Sequence, residues 1–413
     1  MSLYGTMRTG VSGMNAQANR LSTVADNIAN SSTVGYKKAS TQFSSMILPS
    51  GNGSYNSGGV NTTVRYSIND QGSFTYTTST TDLAINGEGF FIVNSADGSN
   101  YLTRAGNFEV QPDGSLMNSA GFTLMGYPYS STTDPTIVIN GFDGLQEVNV
   151  QAGGMSSTPS TTGVVSGNLP AGEENGYIKS SSLVAYDSQG NSRLLDLTYT
   201  KTADNEWTLD ISYKDEVGTV HSLNPPVPPA TTPGPAATLT FDAAGKLTSP
   251  AGGLVSTAGL TIAGAELNGL SIDISDMSQL GAPYSIKGNI NGQAASAVDK
   301  VQIGEDGVVS ILYKNGQSMP AYRIAMASVQ SPNNLTPREG NVYSQSNDSG
   351  VIVMGYAGNS GYGSILSQAL ENSNVEIGDE LTSMIESQRN YTANSKVFQT
   401  GSELLETLVN LKR

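Results

Sequence analysis

Apolar and small residues recur at Met7, Val11, Met14, Ala18, Leu21, Ala25 and Ile28, a strict alternation of four and three. That spacing is the heptad repeat of a coiled-coil seam. It predicts a helix from about Leu3 to Asn30, roughly 40 Å long at the usual rise. Gly5, Gly10 and Gly13 weaken its start, each by about 1 kcal/mol against Ala. The far end of the chain repeats the frame. Ile377, Leu381, Met384, Tyr391, Phe398, Leu405 and Val409 share one heptad register, with Gln388, Ser395 and Ser402 at its other positions. A second helix is expected there, beginning near Ser364 or, after a break, near Val375. The first proline is Pro49 and the last Pro337, so both tips are free of the residue that breaks helices.

Between the tips the period changes to that of strands. Ser31 to Tyr66 is polar and Gly-rich and reads as a long connector, extended or loosely β. From Val64 onward short alternating runs follow one another, divided at Asn86-Gly87, Asp97-Gly98 and Asp113-Gly114. "FFIVN" is a short apolar run, which suits a buried strand. Residues 148–285 hold ten of the seventeen prolines, which sets them apart as an inserted β domain. Within it "SLVAYDSQGNSRLLDLTYT" is a hairpin around Gln189-Gly190-Asn191, and the Pro-rich run Leu223–Ala237 reads as an exposed loop. After Pro283 the first pattern resumes, with turns at Asp306-Gly307 and Asn315-Gly316, and a second Gly-rich link spans Asn341–Gly363.

The expected fold is multidomain and mainly β, with N- and C-terminal α-helices pairing as a coiled-coil-like domain. The expected boundaries are a terminal helical domain (1–30 with 371–413) and linkers (31–70 with 341–370). A core β domain (71–147 with 286–340) and the inserted β domain (148–285) complete them. The chain goes out and comes back.

Charge refines this layout. The net charge of −15 opposes binding to nucleic acid, whose phosphates demand a basic face. Residues 1–50 carry four bases against one acid, a sum of +3, and residues 371–413 carry seven acids against four bases, a sum of −3. The tips are therefore complementary, within one chain or between chains. Without cysteine, disulfides and thiolate metal sites are impossible. No apolar run reaches the ~18 residues of a membrane span, and the N-terminus lacks the apolar core of a cleaved signal peptide.

Candidate chemistry is sparse. The single histidine, His221, precedes the Pro-rich loop without a G-x-S-x-G elbow, and reads as a strand-end residue. "DSQGNSRLLD" (Asp187–Asp196) lacks the alternating acids and final Glu of a calcium loop. "NGEGFF" lacks the third glycine of a dinucleotide fingerprint. No catalytic, cofactor-binding or metal-ligating residue is nominated, and no cofactor is expected. The layout points to a structural protein. A secreted β-rich adhesin or glycan-active protein with coiled-coil tips is the alternative of another class, and would require an acid pair or a binding cleft.

"LSTVADNIANSSTVGYKK" (Leu21–Lys38) resembles the N-terminal signature of the axial proteins of the bacterial flagellum: rod, hook and hook-associated subunits. Asn27, Ile28, Ala29, Asn30, Thr33, Gly35 and Tyr36 match its "N-I-A-N…T-x-G-Y" motif. "DLAINGEGFFIV" and "LTRAGNFEVQPDGSLMNSAGFTLMGY" are similar to the core β domain of the rod and hook group. "NVEIGDELTSMIESQRNYTANSKVFQTGSELLETLVNL" is similar to its C-terminal helix. The resemblance covers roughly 20–130 and 300–413. It implies a homopolymer built as a hollow helical tube, lined by the terminal helices, with the insert outward. The insert and the ending "TGSELLETLVNLKR" imply the hook-forming branch, a curved universal joint passing torque from rod to filament, over a distal rod subunit. Implied partners are rod and hook-filament junction proteins, a hook cap and the flagellar export apparatus, with no nucleic acid and no membrane insertion. The heptad residues at both tips become the expected assembly interface.

Overall fold

The computed structural model describes residues 3–46, 58–130, 137–151, 154–226, 233–359 and 361–411. The chain divides into two units: 1–153 with 300–312 and 318–413, and 154–299 with 313–317. The second unit is thus a little displaced from the expected 148–285.

In the first unit, α1 (Leu3–Ala29) and α2 (Ile377–Leu411) form an antiparallel hairpin. Met7 lies against Gly401, Gly13 against Asn394, and Arg20 pairs with Glu386 at 3.0 Å. The opposite charges of the two tips therefore meet within one chain. The later of the two expected starts for α2 is the one realised. Ser364–Ser367 and Ala369–Glu371 are strands, separated by Gln368 at φ +60°, a left-handed conformation that no helix accommodates.

The expected first linker contains two strands. β1 (Ala39–Met46) and β2 (Gly59–Tyr66) form an antiparallel ribbon, from Ala39 opposite Tyr66 to Met46 opposite Gly59. Residues 47–57 of that linker lie outside the described residues. The expected second linker requires correction. Val342–Ser344 and Ile352–Tyr356 join the main sheet, the latter along Ala325–Val329. Its glycines misled because Gly350 and Gly358 sit at positive φ in turns between strands.

That main sheet has twelve strands among the described residues. Phe90–Asn94 lies near its centre, and its alternate side chains feed two cores. Phe91 and Val93 pack with Leu83, Phe108, Leu124 and Met326 on one face; Phe90 and Ile92 pack with Leu102, Tyr127 and Tyr343 on the other. A strand buried on both faces has no polar position, which is why this run shows no alternation. Asn86-Gly87 divides two strands but does not close a hairpin, since Leu83–Asn86 pairs instead with Ser364–Ser367.

In the second unit, two sheets share one core. Val165, Leu169, Ile272 and Met277 come from one, and Leu195, Tyr199, Trp207, Leu209 and Leu239 from the other. The hairpin expected at Gln189-Gly190-Asn191 joins Ile178–Tyr186 to Ser192–Ala203, with Tyr186 opposite Ser192. Of the Pro-rich loop, residues 227–232 lie outside the described residues.

Candidate assembly site

Helix α1 carries three stripes, and each has a different task. Thr9, Ser12, Asn19 and Thr23 face the ribbon. Ser12 Oγ accepts from the Val60 N–H at 2.8 Å and lies 3.0 Å from the Val60 carbonyl, to which it donates; Asn19 Nδ2 donates to Thr62 Oγ1 at 2.9 Å. Gly10, Gly13, Arg20 and Asn27 face α2. A Cβ on Gly13 would stand 2.7 Å from Asn394 Oδ1, so the helices approach as closely as they do because this position is glycine.

The third stripe is the heptad frame, and it does not form the centre of the hairpin. Val11, Ala18 and Ala25 are exposed, while Met7, Met14, Leu21 and Ile28 are half-buried. On α2, Leu381, Tyr391, Phe398 and Val409 are exposed, with Val409 at 64%, and Met384 and Leu405 are half-buried. None of these thirteen side chains is fully buried. Apart from Val24, what is buried in the hairpin is small or polar, including Ala16, Asn27, Glu380, Ser387 and Gly401. Ile385, Val397, Leu404 and Leu408 are exposed as well and widen the apolar arc of α2. The sequence signalled them, one position from the chosen frame.

The signature residues lie where the hairpin meets the sheet. Asn27 is 1% exposed and uses its whole hydrogen-bonding capacity. Its Nδ2 donates to Ala39 O (2.7 Å) and Glu380 Oε2 (3.0 Å); its Oδ1 accepts from Ala39 N (3.0 Å) and the Tyr36 hydroxyl (3.2 Å). One side chain thereby joins α1, β1, α2 and the turn between them. Burial, helped by the nearby Asp26, pushes the Tyr36 phenol up to about 12, so it remains a donor at neutral pH. Asn30 closes α1: its Nδ2 donates to Asp26 O, and its Oδ1 accepts from Thr33 Oγ1. Gly35 has φ +65° and donates to Glu371 O at 2.7 Å; a Cβ there would come within 2.6 Å of the Arg104 and Ala105 backbone.

Lys37 and Lys38 follow in extended chain and therefore point opposite ways. Lys37 Nζ reaches Glu371 Oε1 at 2.6 Å in the β core, and Lys38 Nζ reaches Glu380 Oε1 at 2.6 Å on the first turn of α2. Glu371 is fully buried and also meets Arg104 Nη1 at 3.3 Å and the Gly72 N–H at 2.9 Å. Burial lowers the Lys37 ammonium below its ordinary value in spite of the Glu371 carboxylate. Lys37 and Lys38 stand inside the quoted signature, but their role was not legible. Their partners lie more than three hundred positions away.

The residues weighed for chemistry are structural here. His221 Nε2 lies 3.1 Å from Asp215 Oδ2, and its ring stacks on Tyr213 at the end of a strand. Burial pushes the Asp187 carboxyl up, but hydrogen bonds from Asn191, Arg193 and Gln189 outweigh this and hold it below the usual range. It is the hub of a hairpin turn.

Comparison with known proteins follows the same division of the chain. Residues 7–37 match "Flagella basal body rod protein", and residues 84–166 match "Flagellar hook protein FlgE/F/G D1 domain". Residues 157–292 match "Flagellar basal body protein FlaE D2 domain", and 366–411 match "Flagellar basal body rod FlgEFG protein C-terminal". The chain is 57% identical over 414 residues to the flagellar hook protein FlgE of Rhizobium meliloti (strain 1021), with all of both chains covered. It is 47% identical over 422 residues to that of Brucella suis biovar 1 (strain 1330), again with full coverage. The crystal structure of Helicobacter pylori flagellar hook protein FlgE2 aligns with a TM-score of 0.48 at 16% identity, covering 72% of this chain and 100% of that one.

Proposed function

This chain belongs to the flagellar hook protein family, and from that membership we propose how it builds its structure. It is a structural subunit of the bacterial flagellar hook, in the extracellular flagellum adjoining the basal body. The subunits polymerise side by side into a hollow, curved tube that acts as a universal joint between rod and filament. The helix hairpin forms the inner wall, the first β unit the middle layer, and the inserted unit the outside. The role is mechanical and not enzymatic. Its partners are copies of itself, with rod, junction, cap and export components at either end.

One observation carries the polymer reading. The hairpin buries one larger aliphatic side chain, Val24, among Gly, Ala, Asn, Ser and Glu, and leaves Val11, Leu381, Ile385, Phe398, Leu404 and Val409 outside. A helix pair that turns its large apolar residues outward gains little from folding alone. These residues are between 37% and 64% exposed, so each stands to gain about 0.5–2 kcal/mol when a neighbour covers the rest. Contacts that repeat from copy to copy without closing generate a helical tube. Replacing Leu21 with Asp should abolish polymerisation of purified protein while the β units keep their strands by circular dichroism. Electron microscopy showing normal curved tubes from Leu21→Asp would refute the seam. Immunogold against 154–299 should decorate the outside of a short curved segment next to the basal body.

A further inference from the structure

Beside the exit of α1, the first unit has an open cavity of about 540 Å³ that the helix seam does not use. Asn30 and Tyr36 line it from the turn after α1, Asn118 and Ser119 from a hairpin turn, and Arg338 and Asn341 from a strand pair. The volume suits a protruding turn or a small ligand.

Its electrostatics are one-sided. No carboxylate lines it, but two cations do. Lys37 is committed to Glu371. Arg338 makes a single hydrogen bond among the described residues, from Nε to Ser344 Oγ at 3.3 Å, and no ion pair. Asn118 is 6% exposed, and its Oδ1 accepts from Ala120 N (3.1 Å) and Phe122 N (2.9 Å). That fixes the amide orientation and leaves Nδ2 without a partner among the described residues. A guanidinium fork and a buried amide donor on one cavity are complementary to a carboxylate.

We propose that this cavity is a socket for an acidic turn of a second copy of this chain, whose carboxylate is held by Arg338 and Asn118. The inference rests on the polymer reading above. The chain supplies the complement, with 35 acids against 20 bases.

The chain has no cysteine, so Ser119→Cys gives one addressable thiol at the rim. The full chain carrying a benzophenone there is polymerised, irradiated and mapped by mass spectrometry. The expected product is a cross-link between two copies, ending on a turn that bears Asp or Glu. Arg338→Glu should remove it and raise the critical concentration for polymerisation on the order of tenfold, the effect of about 1.4 kcal/mol. Arg338→Lys should retain most of the cross-link. Tubes that form normally without an intermolecular cross-link, or with one to a different protein, overturn the socket and leave the hook reading intact. Failure of the unmodified chain to polymerise at all overturns both.

Discussion

Replacing Glu371 with Gln tests whether the junction is held by charge. The side chain keeps its shape, but the one carboxylate facing two cations disappears. Lys37 and Arg104 are 1% and 4% exposed, so neither gains solvent in exchange. Removing one partner of a buried pair costs about 3–5 kcal/mol, because the remaining charge is left uncompensated. Against a typical total of about 5–15 kcal/mol, that is a large fraction. Glu386→Gln is the control: its partner Arg20 is near the surface, Glu386 itself is 58% exposed, and the expected loss is about 0–1 kcal/mol. The assay is urea unfolding, followed by amide exchange at the Ala369–Glu371 strand. Trp207, the single tryptophan, sits in the core of the other unit, and its fluorescence transition should move less. The pH dependence gives a second reading. Lys37 has a folded value below 10.5, so between the two values the unfolded chain holds a proton that the folded chain lacks. Stability from this group therefore rises with pH across that window. Without Glu371, Lys37 discharges earlier, and the deficit of the variant should shrink as pH climbs toward 10.5. Lys37→Met combined with Glu371→Gln should cost less than Glu371→Gln alone, since one orphaned cation is gone. A Glu371→Gln variant within about 1 kcal/mol of the parent at neutral pH would refute the reasoning, since a buried pair should cost several times more.

Two further outcomes follow from the same geometry. Gly35→Ala should lower stability by about 1–2 kcal/mol from its left-handed backbone alone, and by more from contact with Arg104 and Ala105; chemical denaturation measures it. Burial, with smaller contributions from nearby groups, raises the phenols of Tyr36, Tyr199 and Tyr343 above 10.0. Their contribution to stability is complete below that pH and is lost as pH rises through the folded values. Phenolate absorbance should show a late class of tyrosines appearing together with unfolding, and a single early titration would refute the burial.

The sequence patterns exposed the elements more readily than their partners, and the two tips show why. The heptad spacing located both helices to within a residue or two, because a period of seven is a property of the chain alone. The same spacing nominated an assembly interface, and its residues stand half-buried or exposed on the hairpin. Apolar periodicity reports where apolar side chains stand, not what covers them. Inside one subunit, closeness is set by Gly10, Gly13 and Gly401, and by Asn394, which a hydrophobic pattern scores as gaps. The link at Asn341–Gly363 failed for a related reason: its strands are short, and its glycines are turn residues at positive φ, so composition outweighed period. The junction is the hardest case. Lys37, Arg104 and Glu371 are separated by most of the chain, and only the fold brings them together. Yet the mismatch at the tips is itself informative. A helix pair with a mostly small and polar interior and an apolar exterior is inconsistent as an isolated domain, since natural sequences otherwise agree across levels. It becomes consistent once the solvent on its outer face is replaced by further copies. The apolar surface that the hairpin leaves exposed therefore points in the same direction as the family to which the chain belongs.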